Sequence, residues 1–206
     1  MPSPLVLNAL DRLWRQLGGR PERAQGPRGV LLIRSGGLGD LVLFAHVFPR
    51  FRALAKAGEP VTVLLRHDAV KTAFLLGGGV EVLPIDYRRF ARNPFYRWRV
   101  SSGLRRRRYR LAVSTDERRH PLIDEAMMAA TEAPERLGLE AMPWPKYQAA
   151  LARNRRFFTR LYARVIRPGL AQIVPQAPPL NHSLRLRFDQ LHLAMNDWIA
   201  QAHLTS

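Results

Sequence analysis

A short stretch around residue 36 holds residue types suited to binding an anion. Gly36, Gly37 and Gly39 follow an apolar run at residues 30–33, and Asp40 comes directly after them. Glycines let a ligand approach the backbone closely, and the N–H groups at a helix start favour phosphates. A carboxylate at the same place can accept the proton of an attacking hydroxyl group. These residues predict an anion site with an acid at its mouth.

Charged residues elsewhere in the chain extend this candidate site. Arg34 and Arg66 end two predicted strands and are predicted to contact an anion bidentately. Asp116, next to Glu117, follows a later strand and is a candidate contact to a substrate. The alternative is that the acid after the glycines only caps a helix and that the arginines are surface charges. The candidate catalytic residue is Asp40, and the candidate binding residues are Arg34, Ser35, Gly36, Gly37, Leu38, Gly39, Arg66 and Asp116.

Other chemistries are disfavoured by the sequence. Ser35 does not stand in a Gly-x-Ser-x-Gly elbow, and the glycine turn lacks the Lys-Ser/Thr ending of a P-loop. The chain has no cysteine, and its six histidines form no dense metal-ligand motif. We therefore predict neither a metal nor a cofactor.

Alternating apolar strands and helices are expected to position these residues. The pattern predicts strands at residues 30–33, 61–65, 80–84, 109–114 and 136–139, helices at 41–56, 69–76 and 121–131, and a basic, partly helical segment at 87–108. This order is typical of an α/β fold, a Rossmann-like parallel sheet with helices on both faces. In such sheets ligands bind beyond the carboxyl ends of the strands, where the glycine turn would lie.

Both ends of the chain differ from this pattern. Residues 1–28 are predicted to be an amphipathic helix and a linker; the helix either docks on the protein's own core or, alternatively, lies on a membrane. Residues 29–150 form the predicted Rossmann-like domain. Residues 151–206 are predicted to be a helical extension, because Phe157, Leu161 and Val165 recur at helical spacing. No apolar run approaches the roughly 20 residues of a membrane span, and no signal peptide is evident.

The chain is strongly basic. Its 206 residues carry a formal net charge of +17, and the densest basic run is at residues 105–108. Such a charge predicts attraction to phosphate groups. A solvated helix face is the plainest interpretation of the run, and an anionic membrane surface comes next. Nucleic acid is the least favoured partner, because no nucleic-acid motif accompanies the charge.

Three segments, in order, resemble glycosyltransferase family 9, the lipopolysaccharide heptosyltransferase group. They are the strand and turn that end in Gly39-Asp40, the Tyr-Arg-Leu-Ala-Val strand at 109–113, and Ala-Pro-Glu-Arg-Leu-Gly at 133–138. The glycine turn is also similar to that of glycogen and starch synthases, which share the glycosyltransferase-B fold. The sequence departs from family 9 at 45–47, where Thr-Thr-Pro is usual, and at 114–118, where the family has an Asp-x-Gln-Gly loop.

The resemblance implies the amino-terminal, acceptor-side domain of a glycosyltransferase-B enzyme. Such an enzyme transfers a sugar, such as heptose, from a nucleotide-diphosphate sugar to an envelope glycolipid such as lipopolysaccharide core. Asp40 matches the family's catalytic aspartate, and the location implied is the cytoplasm, at the inner face of the membrane. The family's donor-binding domain has no counterpart in the 206 residues.

That missing counterpart leaves the activity of the chain open. We expect a separate second domain or self-association to complete the enzyme. The alternatives are a non-catalytic glycan- or anion-binding module derived from such an enzyme, and a basic α/β protein that binds nucleotides or nucleic acid.

Overall fold

The computed structural model describes residues 4–17 and 28–162, which contain one sheet of six strands. The strands are β1 (Val30–Arg34), β2 (Val61–Arg66), β3 (Val80–Ile85), β4 (Leu111–Ser114), β5 (Glu135–Leu139) and β6 (Arg160–Tyr162). Their spatial order is β3-β2-β1-β4-β5-β6, and every neighbouring pair is parallel. The direction of winding reverses between β1 and β4, so a topological switch point lies at the carboxyl ends of these two strands.

Helices cover both faces of the sheet, as the sequence predicted. They are α1 (Pro4–Leu17), α2 (Leu38–Arg52), α3 (Tyr87–Arg92), α4 (Pro94–Arg106), α5 (Asp124–Thr131) and α6 (Gln148–Asn154), with 3-10 turns at His67–Leu76, Pro145–Tyr147 and Arg155–Phe157. Helix α2 and the first 3-10 segment pack on one face, whereas α3, α4 and α5 pack on the other. The Rossmann-like α/β fold is therefore confirmed.

Strand β1 shows why its sequence is a continuous apolar run. Val30 and Leu32 point into the layer formed with α2, whereas Leu31 and Ile33 point into the opposite layer. All four side chains are at most 1% exposed. Because both faces of a central parallel strand are covered, alternate polar residues would be buried without partners, and residues 30–33 contain none.

Several predicted boundaries shift by a few residues. Helix α2 begins at Leu38 and ends at Arg52, with Pro49 inside its last turn rather than at a break. The predicted helix at 69–76 is a 3-10 segment that begins at His67. Helix α5 begins at Asp124 rather than at residue 121, because the backbone before it is held in a turn around the His120 carbonyl.

The helical stripe predicted from Phe157 onward is wrong within the described residues. After a 3-10 turn, Phe158 is extended and the chain continues as β6 beside β5. Phe158 and Tyr162 pack into opposite core layers. The chain forms a strand here because the edge of β5 offers backbone hydrogen-bonding partners that a helix would leave unused. The sheet thus continues past the boundary predicted at residue 150. The remainder of the predicted extension, 163–206, lies outside the described residues.

Helix α1 docks on α4, in agreement with the first of the two expectations for it. Leu7 is 3% exposed. Asp11 accepts two hydrogen bonds from the guanidinium of Arg97, at 2.7 and 2.6 Å. Arg97 is fully buried and also donates to the carbonyl of Leu122 at 2.7 Å. Across residues 4–17 and 28–162, no helix combines the length and apolarity needed to cross a bilayer.

Candidate functional site

The predicted residues Arg34, Ser35 and Asp116 meet at the switch point. Arg34 ends β1 and is only 4% exposed. Its guanidinium forms an ion pair with the carboxylate of Asp116, which follows β4. The backbone N–H and hydroxyl of Ser35 donate to Asp116 Oδ2 at 2.6 and 2.9 Å. Arg34 also donates to the backbone carbonyl of Asp40 at 2.9 Å. Asp116 therefore fixes the turn after β1 to the turn after β4.

The glycine turn is shaped by the Asp40 side chain. Asp40 Oδ2 accepts a hydrogen bond from the Gly37 N–H at 3.0 Å, which caps the start of α2. A methyl group on Gly36 would lie 2.5 Å from the Asp40 Cβ, whereas one on Gly37 or Gly39 would meet nothing within 4 Å. None of the three has a positive φ, so close approach rather than backbone conformation explains Gly36. The sides of Gly37 and Gly39 are open to a ligand.

Asp40 caps the start of α2, which is the structural role that the sequence offered as an alternative to catalysis. The cap uses only one of the two carboxylate oxygens. Within the part of the chain that the structure describes, Oδ1 makes no hydrogen bond. The residue is half-buried at the mouth of the turn. Capping orients the carboxylate and leaves Oδ1 available to accept a hydrogen bond.

A second acid, Asp124, lies buried beside the same cluster. Its Oδ2 accepts the His120 N–H at 2.6 Å, while Oδ1 and the neighbouring Tyr87 hydroxyl are buried without a well-formed hydrogen bond to a described residue. Burial, reinforced by the negative charge of Asp116, raises the pKa of Asp124 to about 7. Burial together with the charges of Asp124 and Asp116 raises the pKa of Tyr87 well above its usual range. The site therefore contains a carboxyl group that can hold a proton near neutral pH.

Arg66 and Leu38 border this cluster on its exposed side. Arg66 ends β2 and makes a two-pronged contact with Asp68, at 3.1 and 2.5 Å. Both partners are exposed at the surface. The positive charge of Arg66 offsets part of the rise in the pKa of Tyr87. Leu38, the first residue of α2, is 53% exposed. All the predicted residues therefore lie along one edge of the sheet, with Arg66 as the most accessible cation among them.

The loop between β4 and α5 is held by a buried ion pair. Arg119 Nε lies 3.2 Å from Glu125 Oε1, and the two side chains are 2% and 1% exposed. Arg119 also donates to the Leu139 carbonyl at 2.6 Å. Burial raises the pKa of Glu125, against the lowering effect of Arg119. This pair fixes the loop that carries Asp116.

Sequence reasoning missed Asp124, Tyr87 and Arg119. Asp124 carried a usable signal, because an acid in the first turn of a helix that follows a strand end lies at the carboxyl edge of the sheet. Tyr87 and Arg119 had no comparable signal, since their burial depends on how separate elements pack. In the described part of the chain, no group of three or more His, Asp or Glu residues is arranged to hold a metal.

The fold and site together define a Rossmann-like α/β protein with a charged cluster at its switch point. No protein-family model, curated protein or solved structure matches this chain. The likeness to glycosyltransferase family 9 therefore depends on the three sequence segments alone and stays a prediction.

Proposed function

We propose that the chain is the acceptor-side domain of a family 9-like glycosyltransferase. The reaction is transfer of a sugar, such as heptose, from a nucleotide-diphosphate sugar to an envelope glycolipid such as lipopolysaccharide core, at the inner face of the cytoplasmic membrane. The observation that carries the proposal is the position of the glycine turn and Asp40, which lie together at the switch point of a parallel sheet. This is where open α/β sheets bind their ligands.

In this mechanism Asp40 Oδ1 accepts the proton of the acceptor hydroxyl as that oxygen attacks the anomeric carbon of the donor. The Gly37 N–H on Oδ2 keeps the carboxylate oriented. The bond from the anomeric carbon to the diphosphate breaks, and the diphosphate leaves as an anion. The open backbone of Gly37 and Gly39 at the start of α2 favours negative charge.

The two predicted arginines have different roles in the proposal. Arg34 already neutralises Asp116, so it supports the turn rather than offering a free charge to a ligand. Arg66 is exposed and exchanges its contact with Asp68 for one with an anion at little cost, because exposed ion pairs contribute only about 0–1 kcal/mol. Asp116, whose two oxygens are occupied by Arg34 and Ser35, holds Ser35 in place at the start of the glycine turn.

A non-catalytic binding module is the second candidate function. It is favoured by the way Arg34, Asp116 and Ser35 satisfy one another's charges and hydrogen-bonding groups. A domain that only binds a phosphorylated glycan needs the open glycine turn but no proton acceptor.

Transfer assays test the catalytic proposal. The purified chain is incubated with nucleotide-diphosphate heptose and lipopolysaccharide core acceptors, alone and with the donor-side domain of a family 9 enzyme supplied separately. We expect negligible turnover by the chain alone, since placing both reactants is worth roughly 7–11 kcal/mol of barrier. With the second domain present, Asp40→Asn is expected to lower turnover by about 10²–10⁴-fold.

Glu140→Gln is the control, because Glu140 lies at the same edge of the sheet, directly after β5, and is paired with Arg155 rather than with a residue of the proposed site. It should leave turnover within a few-fold of the native value. Unchanged turnover in Asp40→Asn would reduce Asp40 to a helix cap, and robust turnover by the chain alone would contradict the assignment as one half of an enzyme. Calorimetry with a phosphorylated core oligosaccharide separates the two candidates: binding without turnover in any combination supports the module, and no binding overturns both.

A further inference from the structure

The neighbouring helices α3 and α4 carry exposed arginines together with large exposed apolar side chains. We define the arginine–aromatic face by Arg88, Arg92, Phe95, Trp98 and Arg99, all of which are exposed. Phe95 is 81% exposed and Trp98 is 48% exposed. The two stand three positions apart on α4 and therefore project from the same side of the helix.

The face is built rigidly. Asp86 caps α3 by accepting the Arg89 N–H at 2.9 Å, and Asn93 caps α4 by accepting the Tyr96 N–H, also at 2.9 Å. The opposite side of α4 is buried through Arg97 and Leu104. Because that side is fixed to the core and to α1, the aromatic side chains cannot turn inward without unpacking the helix.

The charge of this region is entirely positive. Between Tyr87 and Thr115 the sequence contains ten arginines and no acidic residue. Within the described residues, Arg88, Arg92 and Arg99 form no ion pair with a carboxylate. Arg99 instead lies over the Tyr96 ring, 5.4 Å from its centroid.

The densest run, residues 105–108, is a weaker candidate for a partner surface than its sequence indicates. Arg105 is paired with Glu132 at 3.0 Å, and Arg107 is paired with Glu81 at 2.5 Å. Those arginines neutralise acids of the same chain. Among the described residues Arg106 also forms no ion pair, but the three unpaired arginines Arg88, Arg92 and Arg99 lie nearer the start of α4, in the same segment as the exposed aromatic side chains.

We propose that the arginine–aromatic face docks on an anionic lipid bilayer. Phe95 and Trp98 enter the boundary between headgroups and acyl chains, where aromatic side chains are favoured. Arg88, Arg92 and Arg99 contact lipid phosphates, each adding attraction that salt screens. A bilayer fits better than a nucleic acid, because the aromatic side chains project outward from a helix instead of lining a groove in which bases stack.

Binding to vesicles tests the charge component. The full chain is sedimented with vesicles of phosphatidylcholine, with and without phosphatidylglycerol, over a series of salt concentrations. We expect binding that needs phosphatidylglycerol and weakens as salt rises. The triple variant Arg88→Gln/Arg92→Gln/Arg99→Gln should lower the partition coefficient by about 100-fold. The control Arg28→Gln/Arg153→Gln/Arg156→Gln removes the same charge from exposed sites elsewhere and should lower it by less than about 10-fold.

The apolar component has its own matched variants. Phe95→Ser/Trp98→Ser should weaken vesicle binding, whereas Phe74→Ser, at a residue 75% exposed on the other side of the sheet, should not. Quenching of tryptophan fluorescence by brominated lipid should be lost in Trp98→Phe and retained in Trp144→Phe. All these side chains are exposed or half-buried, so circular dichroism should show the same folded content in every variant.

Four outcomes would overturn the proposal. They are equal binding to neutral and anionic vesicles, equal losses in the two arginine triples, and unchanged quenching in Trp98→Phe. The fourth is tighter binding to a nucleic-acid duplex or to a second copy of the chain, abolished by the same face variants, which would assign the surface to that partner instead. None of these readouts depends on transferase activity.

Discussion

The carboxyl edge of the sheet and the arginine–aromatic face use their arginines in opposite ways. At the edge, Arg34 and Arg119 are 4% and 2% exposed, and each is held by a carboxylate and by backbone carbonyls. On the face, Arg88 and Arg92 are exposed. Buried, paired arginines therefore stabilise the fold, whereas exposed arginines without a carboxylate partner are available to bind other molecules.

This contrast changes how the net charge of +17 is understood. Burying one arginine requires an acid or several carbonyls, so the edge is locally close to neutral despite its many charges. The segment that forms the arginine–aromatic face contains no acidic residue, so its positive charge is not neutralised locally. Substitutions at the edge should therefore alter folding, and substitutions on the face should alter binding.

The largest effect on folding is expected from Asp116→Ala. The substitution leaves Arg34 buried without its carboxylate and removes the acceptor for Ser35. Loss of one partner of a buried pair typically costs about 3–5 kcal/mol. Urea unfolding followed by circular dichroism measures the change in the free energy of unfolding.

Asp68→Ala is the matched control for that experiment. Asp68 is also paired with an arginine at a strand end, but both side chains are exposed. The cost should stay below about 1 kcal/mol. A similar cost for both substitutions would show that the pair at the edge is no more structural than a surface pair.

Asp124→Asn should change how stability depends on pH. The pKa of Asp124 is raised to about 7 by burial, above its unfolded value of 3.8. Below the unfolded pKa the carboxyl group is protonated in both states, and the folded chain keeps its full stability. As the pH rises toward the folded pKa, ionisation in the unfolded chain progressively removes stability, and the loss is complete above the folded pKa. The difference of about three pKa units corresponds to a loss of up to about 4 kcal/mol by about pH 8.

Asparagine cannot ionise, so the variant should gain stability relative to the native chain between about pH 4 and about pH 8. Urea unfolding at a series of pH values measures this gain. Asp68→Asn should show the opposite trend. Burial raises the pKa of Asp68, but the contacts with Arg66 outweigh it and lower the pKa overall, so its stabilisation is lost as the pH falls. A gain for Asp124→Asn that does not vary with pH would contradict the raised pKa.

A smaller effect is expected at the glycine turn. Gly36→Ala places a methyl group 2.5 Å from the Asp40 Cβ and should displace the cap of α2, at a cost of about 1–3 kcal/mol. Gly37→Ala, in the same turn but facing open space, should change the free energy of unfolding by less than about 0.5 kcal/mol. Equal costs would mean that Asp40 does not lie over Gly36 in solution.

Much of the fold could be predicted from the sequence. Runs such as residues 30–33 and 61–65 are apolar throughout because both faces of a central parallel strand are covered. Strand β6 could not be predicted in the same way. The spacing of Phe157, Leu161 and Val165 predicts a helix there, since helical and strand spacing overlap over a few residues. Only the free edge of β5 decides in favour of a strand.

The placement of the candidate residues at one edge of the sheet, though not their function, could also be predicted from the sequence. The turn after β1 and Asp116 after β4 follow from strand ends, so their proximity was deducible once the sheet was inferred. That Arg34 would be held by Asp116, and that Asp124 would be buried beside Tyr87, depends on packing between elements far apart in the chain. Pairing of this kind leaves no pattern in a single sequence.

The smallest effect on the free energy of unfolding is expected for the run at residues 105–108. Substitutions there test whether an exposed, paired arginine contributes to stability. Arg107 and Glu81 form an exposed pair, with side chains 38% and 47% exposed. Arg107→Gln should therefore cost less than about 1 kcal/mol, and the cost should shrink as salt screens the pair. Unfolding at low and high salt measures it, with Arg106→Gln, at an exposed neighbour that forms no ion pair with the described residues, as the control. A cost above about 2 kcal/mol that does not respond to salt would place Arg107 with the buried arginines of the edge. It would break the division between paired structural charge and exposed binding charge.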